Sequence, residues 1–167
     1  MPLFSCEDLK RAVAERPQRN DPGVGLYRQG YLKHGFGFWG LEPGSEVRRL
    51  VRTHPDLDWP QMSVLDIGAG TGKNTFELVR QGVREVTAIE IDSVAVRALL
   101  DVLICLEEAK LVPEGVVNVI KADAISQMKQ MVRVFHVVVS YGLLHVFKEP
   151  VVLKTVLGLM MEHVAPG

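Results

Sequence analysis

Residues 64–72 read Val64-Leu65-Asp66-Ile67-Gly68-Ala69-Gly70-Thr71-Gly72, an apolar run carrying one acid and then three glycines at alternate positions. Glycines so placed let a backbone turn sharply and approach a ligand without side-chain collision. Glu90 ends the next apolar run, and a carboxylate there can accept hydrogen bonds from both hydroxyls of a ribose lying across the strand ends. Two phosphate-binding patterns fail at this loop. A dinucleotide fingerprint needs its third glycine where Lys73 stands, and a P-loop needs glycine at Ile67 and Ser or Thr at Asn74. What remains is an acid followed by alternate glycines, with a second acid placed for a sugar.

Elements of a regular kind must position these groups. The pattern predicts strands at 62–67, 85–91, 116–120 and 134–140. Helices are expected at 73–81 (ending at Gly82), 93–110 (closed by Pro113), 125–131 and 149–164. Short apolar strands alternating with helices mean a parallel sheet covered on both faces. The predicted fold is therefore α/β and Rossmann-like, with the glycine loop at the end of its first strand.

Upstream, residues 5–16 follow a helical pattern stopped by Pro17. Residues 20–44 hold Tyr27, Tyr31, Phe36, Phe38 and Trp39 among seven glycines. That segment reads either as a loop packed over the domain edge or as a lid that closes on a ligand. Ser45 is expected to cap a helix running to about Thr53, with Glu46 in its first turn. The division that follows is residues 1–60 as N-terminal helices and aromatic lid, and 61–167 as the ligand-binding domain.

The acid-and-glycine loop resembles motif I of the class I S-adenosylmethionine-dependent methyltransferases, and the resemblance runs over about residues 62–167. It implies that Glu90 holds the ribose, with Ile91 beside the adenine. Asp123, in Lys121-Ala122-Asp123-Ala124, matches the acid that receives the adenine amine. The end of the fourth strand, near Ser140, comes to lie beside the methionine and sulfonium. The expected donor site is thus Asp66, Gly68, Ala69, Gly70, Glu90, Ile91, Asp123, Ala124 and Ser140. The cofactor is S-adenosylmethionine and the product S-adenosylhomocysteine.

After the fourth strand comes Ser140-Tyr141-Gly142-Leu143-Leu144-His145-Val146-Phe147. It lacks the Asn/Asp-Pro-Pro-Tyr/Phe run of amino-group methylases, and so resembles the small-molecule branch of the family. Methyl transfer is an in-line displacement at a sulfonium carbon, so the protein mainly aligns the nucleophile and excludes water. His145 is the candidate general base, since histidine titrates near neutrality; the competing reading is a helix-start histidine making a structural hydrogen bond. Tyr141 is the second candidate, lining the acceptor pocket or bonding the donor.

Two departures from the family pattern stand out. His136 occupies a place where an acid is common, near the start of the strand and away from the methyl group. The sequence also ends at Ala165-Pro166-Gly167, where a fifth strand is expected to begin. Three expectations follow: an incomplete methyltransferase, a short one completed by self-association through an open sheet edge, or a donor-binding module without methyl transfer.

Composition fits a single domain, with 167 residues, 47% hydrophobic and 23% charged. A net charge of −1 without a basic stripe argues against a nucleic-acid partner and for a small-molecule acceptor. The run 94–106 is interrupted by Arg97 and Asp101, which makes it a buried helix and not a membrane span. Without a signal-peptide pattern at the N-terminus, a cytoplasmic location is expected. Cys6 and Cys105 are read as reduced thiols, Cys105 as core packing, and no metal site is expected.

Overall fold

The computed structural model describes residues 43–166; the helix predicted at 5–16 and all but the end of the aromatic segment lie outside the described residues. The elements are α1 (Ser45–Thr53), β1 (Ser63–Ile67), α2 (Lys73–Arg80), β2 (Glu85–Glu90), α3 (Ser93–Glu108), β3 (Val117–Lys121), α4 (Ala124–Gln130), β4 (Val137–Val139) and α5 (Pro150–Glu162). Short 3-10 turns lie at Trp59–Gln61 and Leu144–Val146. The strands form one parallel sheet in the order β3-β2-β1-β4. Strand order reverses between β1 and β4, and such a reversal opens a crevice at the carboxyl ends of the strands.

Two apolar layers sandwich the sheet. Val64, Val86 and Ala88 pack with Leu78 and Val79 of α2 and Leu99 and Leu103 of α3. On the opposite face Leu65, Ile67 and Ile89 pack with Met128 of α4, Phe135, and Val156 of α5. Every residue of β1 is buried, so the strand has no solvent side to alternate toward. Asp66 is registered with Ala88 of β2 and Val139 of β4, at the centre of this arrangement.

The outer strands depart from the expectation of fully buried runs. β3 is buried only at Val117, because it forms an edge, and β4 shrinks from the predicted 134–140 to three half-buried valines. The entry to β4 is held differently. The Phe135 N–H donates to the His163 carbonyl, the Ala165 N–H to the Phe135 carbonyl, and the His136 N–H to the Ser63 carbonyl. Phe135 and Val164 thus form an isolated parallel bridge outside β4.

Two local expectations change, and one cap is new. Ser45 lies inside α1, and the N-cap is Gly44 with no side-chain cap; the Ser45 hydroxyl donates to Glu46 instead. Asp92 is a true cap, its Oδ1 accepting from the Val94 and Ala95 N–H groups at the start of α3. Cys105 is half-buried on α3 and held in a disulfide, so it is neither a reduced thiol nor fully core. Among the described residues no helix is long and apolar enough to cross a membrane.

Candidate functional site

The turn after β1 is built around left-handed backbone. Gly68, Gly70 and Gly72 have φ of 72°, 59° and 90°. At Gly68 an added Cβ would also meet the Leu143 side chain at 2.9 Å, so the loop excludes side chains both by conformation and by contact. The Gly68 and Ala69 N–H groups donate to the Ile89 carbonyl, which draws the turn against the end of β2. From Gly72 the chain passes directly into α2.

Asp66 is fully buried in β1. The Thr75 hydroxyl of α2 donates to its Oδ2 at 2.6 Å, while Oδ1 is buried without a hydrogen-bond partner. Burial pushes the Asp66 carboxyl up to about 6; the Thr75 hydroxyl opposes that rise and the Glu90 carboxylate adds to it. A buried carboxylate short of a partner and of positive charge is a costly group, and such groups concentrate at functional sites.

Glu90 stands at the tip of β2 on the same face of the sheet, two residues beyond Ala88, the register partner of Asp66. Its Oε2 accepts the Gly70 N–H at 2.8 Å, and its Oε1 accepts the Ile91 and Asp92 N–H groups, each at 2.8 Å. A carboxylate offers about four accepting directions. Three are taken by backbone here, which leaves one for the ribose expected from the sequence. A grip on both hydroxyls requires Glu90 to give up one backbone donor.

The remaining expected donor residues ring the same strand ends. Ala69 and Ala124 are buried, and Ile91 is 59% exposed at the β2 tip. Asp123 is exposed and serves as N-cap of α4, its Oδ1 accepting the Ser126 N–H. Its second oxygen is not engaged in that cap. Ser140 follows β4, and its hydroxyl is buried without a hydrogen-bond partner.

On the side opposite β2, the Lys73 ammonium lies 5.2 Å from the centre of the Tyr141 ring. A Cβ on buried Gly44 would fall 2.6 Å from the same ring. The Gly44 N–H donates to Asn74 Oδ1 at 2.6 Å, so the chain entering α1 is tied to both α2 and Tyr141. His145 is exposed within the Leu144–Val146 turn. His136 lies at the other end of the sheet, where its Nδ1 accepts from the Ser63 N–H. Among the described residues no three histidine, cysteine or acidic side chains group as metal ligands.

Thr75, Asn74 and Gly44 were not singled out from the sequence. Thr75 lies nine residues beyond Asp66, and nothing in the linear pattern ties the two. The available signal was that α2 begins straight after the glycine turn, which brings its first two turns over the end of β1.

The family comparison agrees with this geometry. A methyltransferase domain matches residues 64–167. No curated protein matches the sequence. Among solved structures, magnesium protoporphyrin IX methyltransferase from Synechocystis PCC 6803, with bound S-adenosylhomocysteine, is 15% identical at a TM-score of 0.59, covering 95% of this chain and 62% of its own. A glycopeptide N-methyltransferase complexed with sinefungin is 24% identical at 0.55, covering 75% and 47%. A protein converting a disulfide bond into a thioacetal group during echinomycin biosynthesis is 23% identical at 0.58, covering 75% and 47%. The chain thus spans about half the length of several structures it resembles. With more than half of its residues inside the matched domain, the chain belongs to the methyltransferase-domain family.

Proposed function

We propose that this domain binds S-adenosylmethionine in the crevice between β1, β2 and β4 and directs its methyl group to a small-molecule acceptor. The observation that carries the reading is the buried, unpartnered Asp66 Oδ1 beside a left-handed glycine turn. A donor that is cationic at its sulfonium and amino groups brings the positive charge that this carboxylate lacks. The other groups suit the rest of the donor: Glu90 for the ribose, Ile91 and Ala124 for the adenine faces, Asp123 for the adenine amine. Gly68, Ala69, Gly70 and Ser140 line the methionyl end. Methyltransferase neighbours with bound S-adenosylhomocysteine or sinefungin support this class of ligand.

The donor supplies a methyl group already activated on sulfur, so the chain's own residues have the work of binding, aligning and excluding water. Tyr141, stacked under Lys73, forms a wall beside the end of β4. His145 takes the role of general base where the acceptor must lose a proton during attack. Support for a small acceptor is the balanced charge and the absence of a basic stripe in the sequence; a cytoplasmic setting is part of the same reading.

A second reading has its own support. Among the described residues β4 is an edge strand of the sheet, with the isolated Phe135–Val164 bridge lying outside it, and such an edge can pair with a second copy. On this reading the domain holds the donor without transferring methyl, and self-association covers the edge. Titration calorimetry with S-adenosylmethionine and S-adenosylhomocysteine tests donor binding, and transfer of radiolabelled methyl to candidate acceptors separates the two readings. Absence of binding to either nucleoside would end both.

A further inference from the structure

Asp66 carries two oxygens with different fates: Oδ2 takes the Thr75 hydroxyl at 2.6 Å, and Oδ1 has no partner although it is buried. Thr75 is itself fully buried on α2, in the first two turns after the glycine loop, so its hydroxyl has no solvent to turn to. The contact therefore locks the Asp66 carboxyl in one orientation and leaves Oδ1 as the acceptor for anything that arrives.

We propose that Thr75 is a positioning residue for donor capture: by holding Asp66 Oδ2 it presents the buried Oδ1 to a cationic part of the donor. The proposal rests on the donor-binding reading above and deepens it, by making capture a proton-linked event.

The surroundings of Asp66 leave the control with Thr75. From β2 the charged group acting on Asp66 is Glu90, which disfavours ionisation. From β4 its register partner is the neutral Val139, and from α2 the contact is the neutral Thr75. Glu90 is in turn held by the Gly70, Ile91 and Asp92 N–H groups. The Thr75 hydroxyl is thus the main group that favours the ionised carboxylate, against a burial that pushes it up to about 6. Removing that hydroxyl raises the pH at which Asp66 becomes able to hold a cation.

The test is titration calorimetry of S-adenosylhomocysteine, which keeps the amino group, and of adenosine, which lacks any cation, from pH 5 to pH 8. For the native protein, affinity for S-adenosylhomocysteine should rise up to about tenfold per pH unit below the midpoint and level off above it. Affinity for adenosine should stay flat. Thr75→Val should shift the S-adenosylhomocysteine midpoint upward, weakening binding at pH 6 by about three- to tenfold while leaving pH 8 nearly unchanged. Thr75→Ser should restore the native profile. Thr75→Ala gives the same readout should the valine variant fail to fold. A uniform loss of affinity at every pH, with no displacement of the midpoint, would overturn the positioning role. If the native protein binds S-adenosylhomocysteine at no pH, it is the donor-binding reading that fails.

Discussion

The Gly70 N–H donates to Glu90 Oε2 at 2.8 Å, tying the glycine turn after β1 to the tip of β2. This one bond joins the two most distinctive features of the sequence. It also means that Glu90 supports the loop's shape, a role separate from the ribose contact proposed for it.

Replacing Glu90 should therefore have two separable consequences. Glu90→Ala strips the acceptor from three backbone N–H groups and should lower unfolding stability by about 1–3 kcal/mol, read by denaturant or thermal unfolding. It should also weaken S-adenosylmethionine binding by about 1–3 kcal/mol in titration calorimetry. Glu90→Gln keeps the side chain's size and one accepting oxygen, so it should recover much of the stability and less of the affinity. An unchanged dissociation constant for both variants would remove Glu90 from the donor site.

Asp66 should make the unliganded protein less stable as the medium turns neutral. Its folded-state value of about 6 lies above the ordinary 3.8. The folded state therefore retains a proton that the unfolded chain releases, and stability from this group is fully present below about pH 4. It declines as pH rises through about 6, by about 3 kcal/mol at most. Chemical denaturation at a series of pH values should show this decline, and Asp66→Asn should flatten it between pH 4 and pH 7. An equally steep profile in the variant would assign the dependence to other groups.

The sequence made the centre of the fold legible and its margins less so. Asp66 and Glu90 could be located because β1 and β2 are buried on both faces, so any acid in those apolar runs stands out. Their hydrogen-bond partners were not legible. The Thr75 contact depends on how α2 leans over β1, and the Gly70 contact on the backbone direction of a turn. β4 is shorter than expected because 134–140, apolar apart from His136 and Ser140, has Val134 and His136 exposed, and the pairing of Phe135 is with the segment near Val164. The cap of α1 was misplaced by one residue because Ser45 is a good capping type, but Gly44 is the residue that fits under Tyr141. Asp123 shows how one acid supports two readings. It caps α4 as any helix-start acid would, and it still stands at the β3 end where the adenine amine is expected.

His145 and Tyr141 are separated by their predicted kinetics. If His145 accepts the acceptor's proton, His145→Ala should lower the methyl-transfer rate by about 10²–10⁴-fold with donor affinity preserved. The loss should shrink for an acceptor that attacks already deprotonated. Full turnover by His145→Ala or His145→Gln at neutral pH would remove it as the base and leave it as a residue of the turn. Tyr141→Phe keeps the ring beneath Lys73 and should change donor affinity little, whereas Tyr141→Ala removes the wall and should raise the acceptor KM.

The contact between Gly44 and Tyr141 is testable as a matched pair. An alanine at Gly44 places its Cβ 2.6 Å from the Tyr141 ring, well inside the approach of real side chains. The ring must shift or the entry to α1 must lift, and lifting also strains the Gly44 N–H bond to Asn74 Oδ1. Gly44→Ala should accordingly cost about 1–3 kcal/mol of stability, the range seen when an extra group is forced into a packed site. Tyr141→Ala opens the space that the new methyl needs. In the double variant the Gly44→Ala penalty should therefore fall to a few tenths of a kcal/mol, a coupling expected only for residues in contact. Additive losses in the two single variants and the double would show that Gly44 and Tyr141 do not meet in solution. The segment entering α1 would then not be fastened to the acceptor side of the crevice.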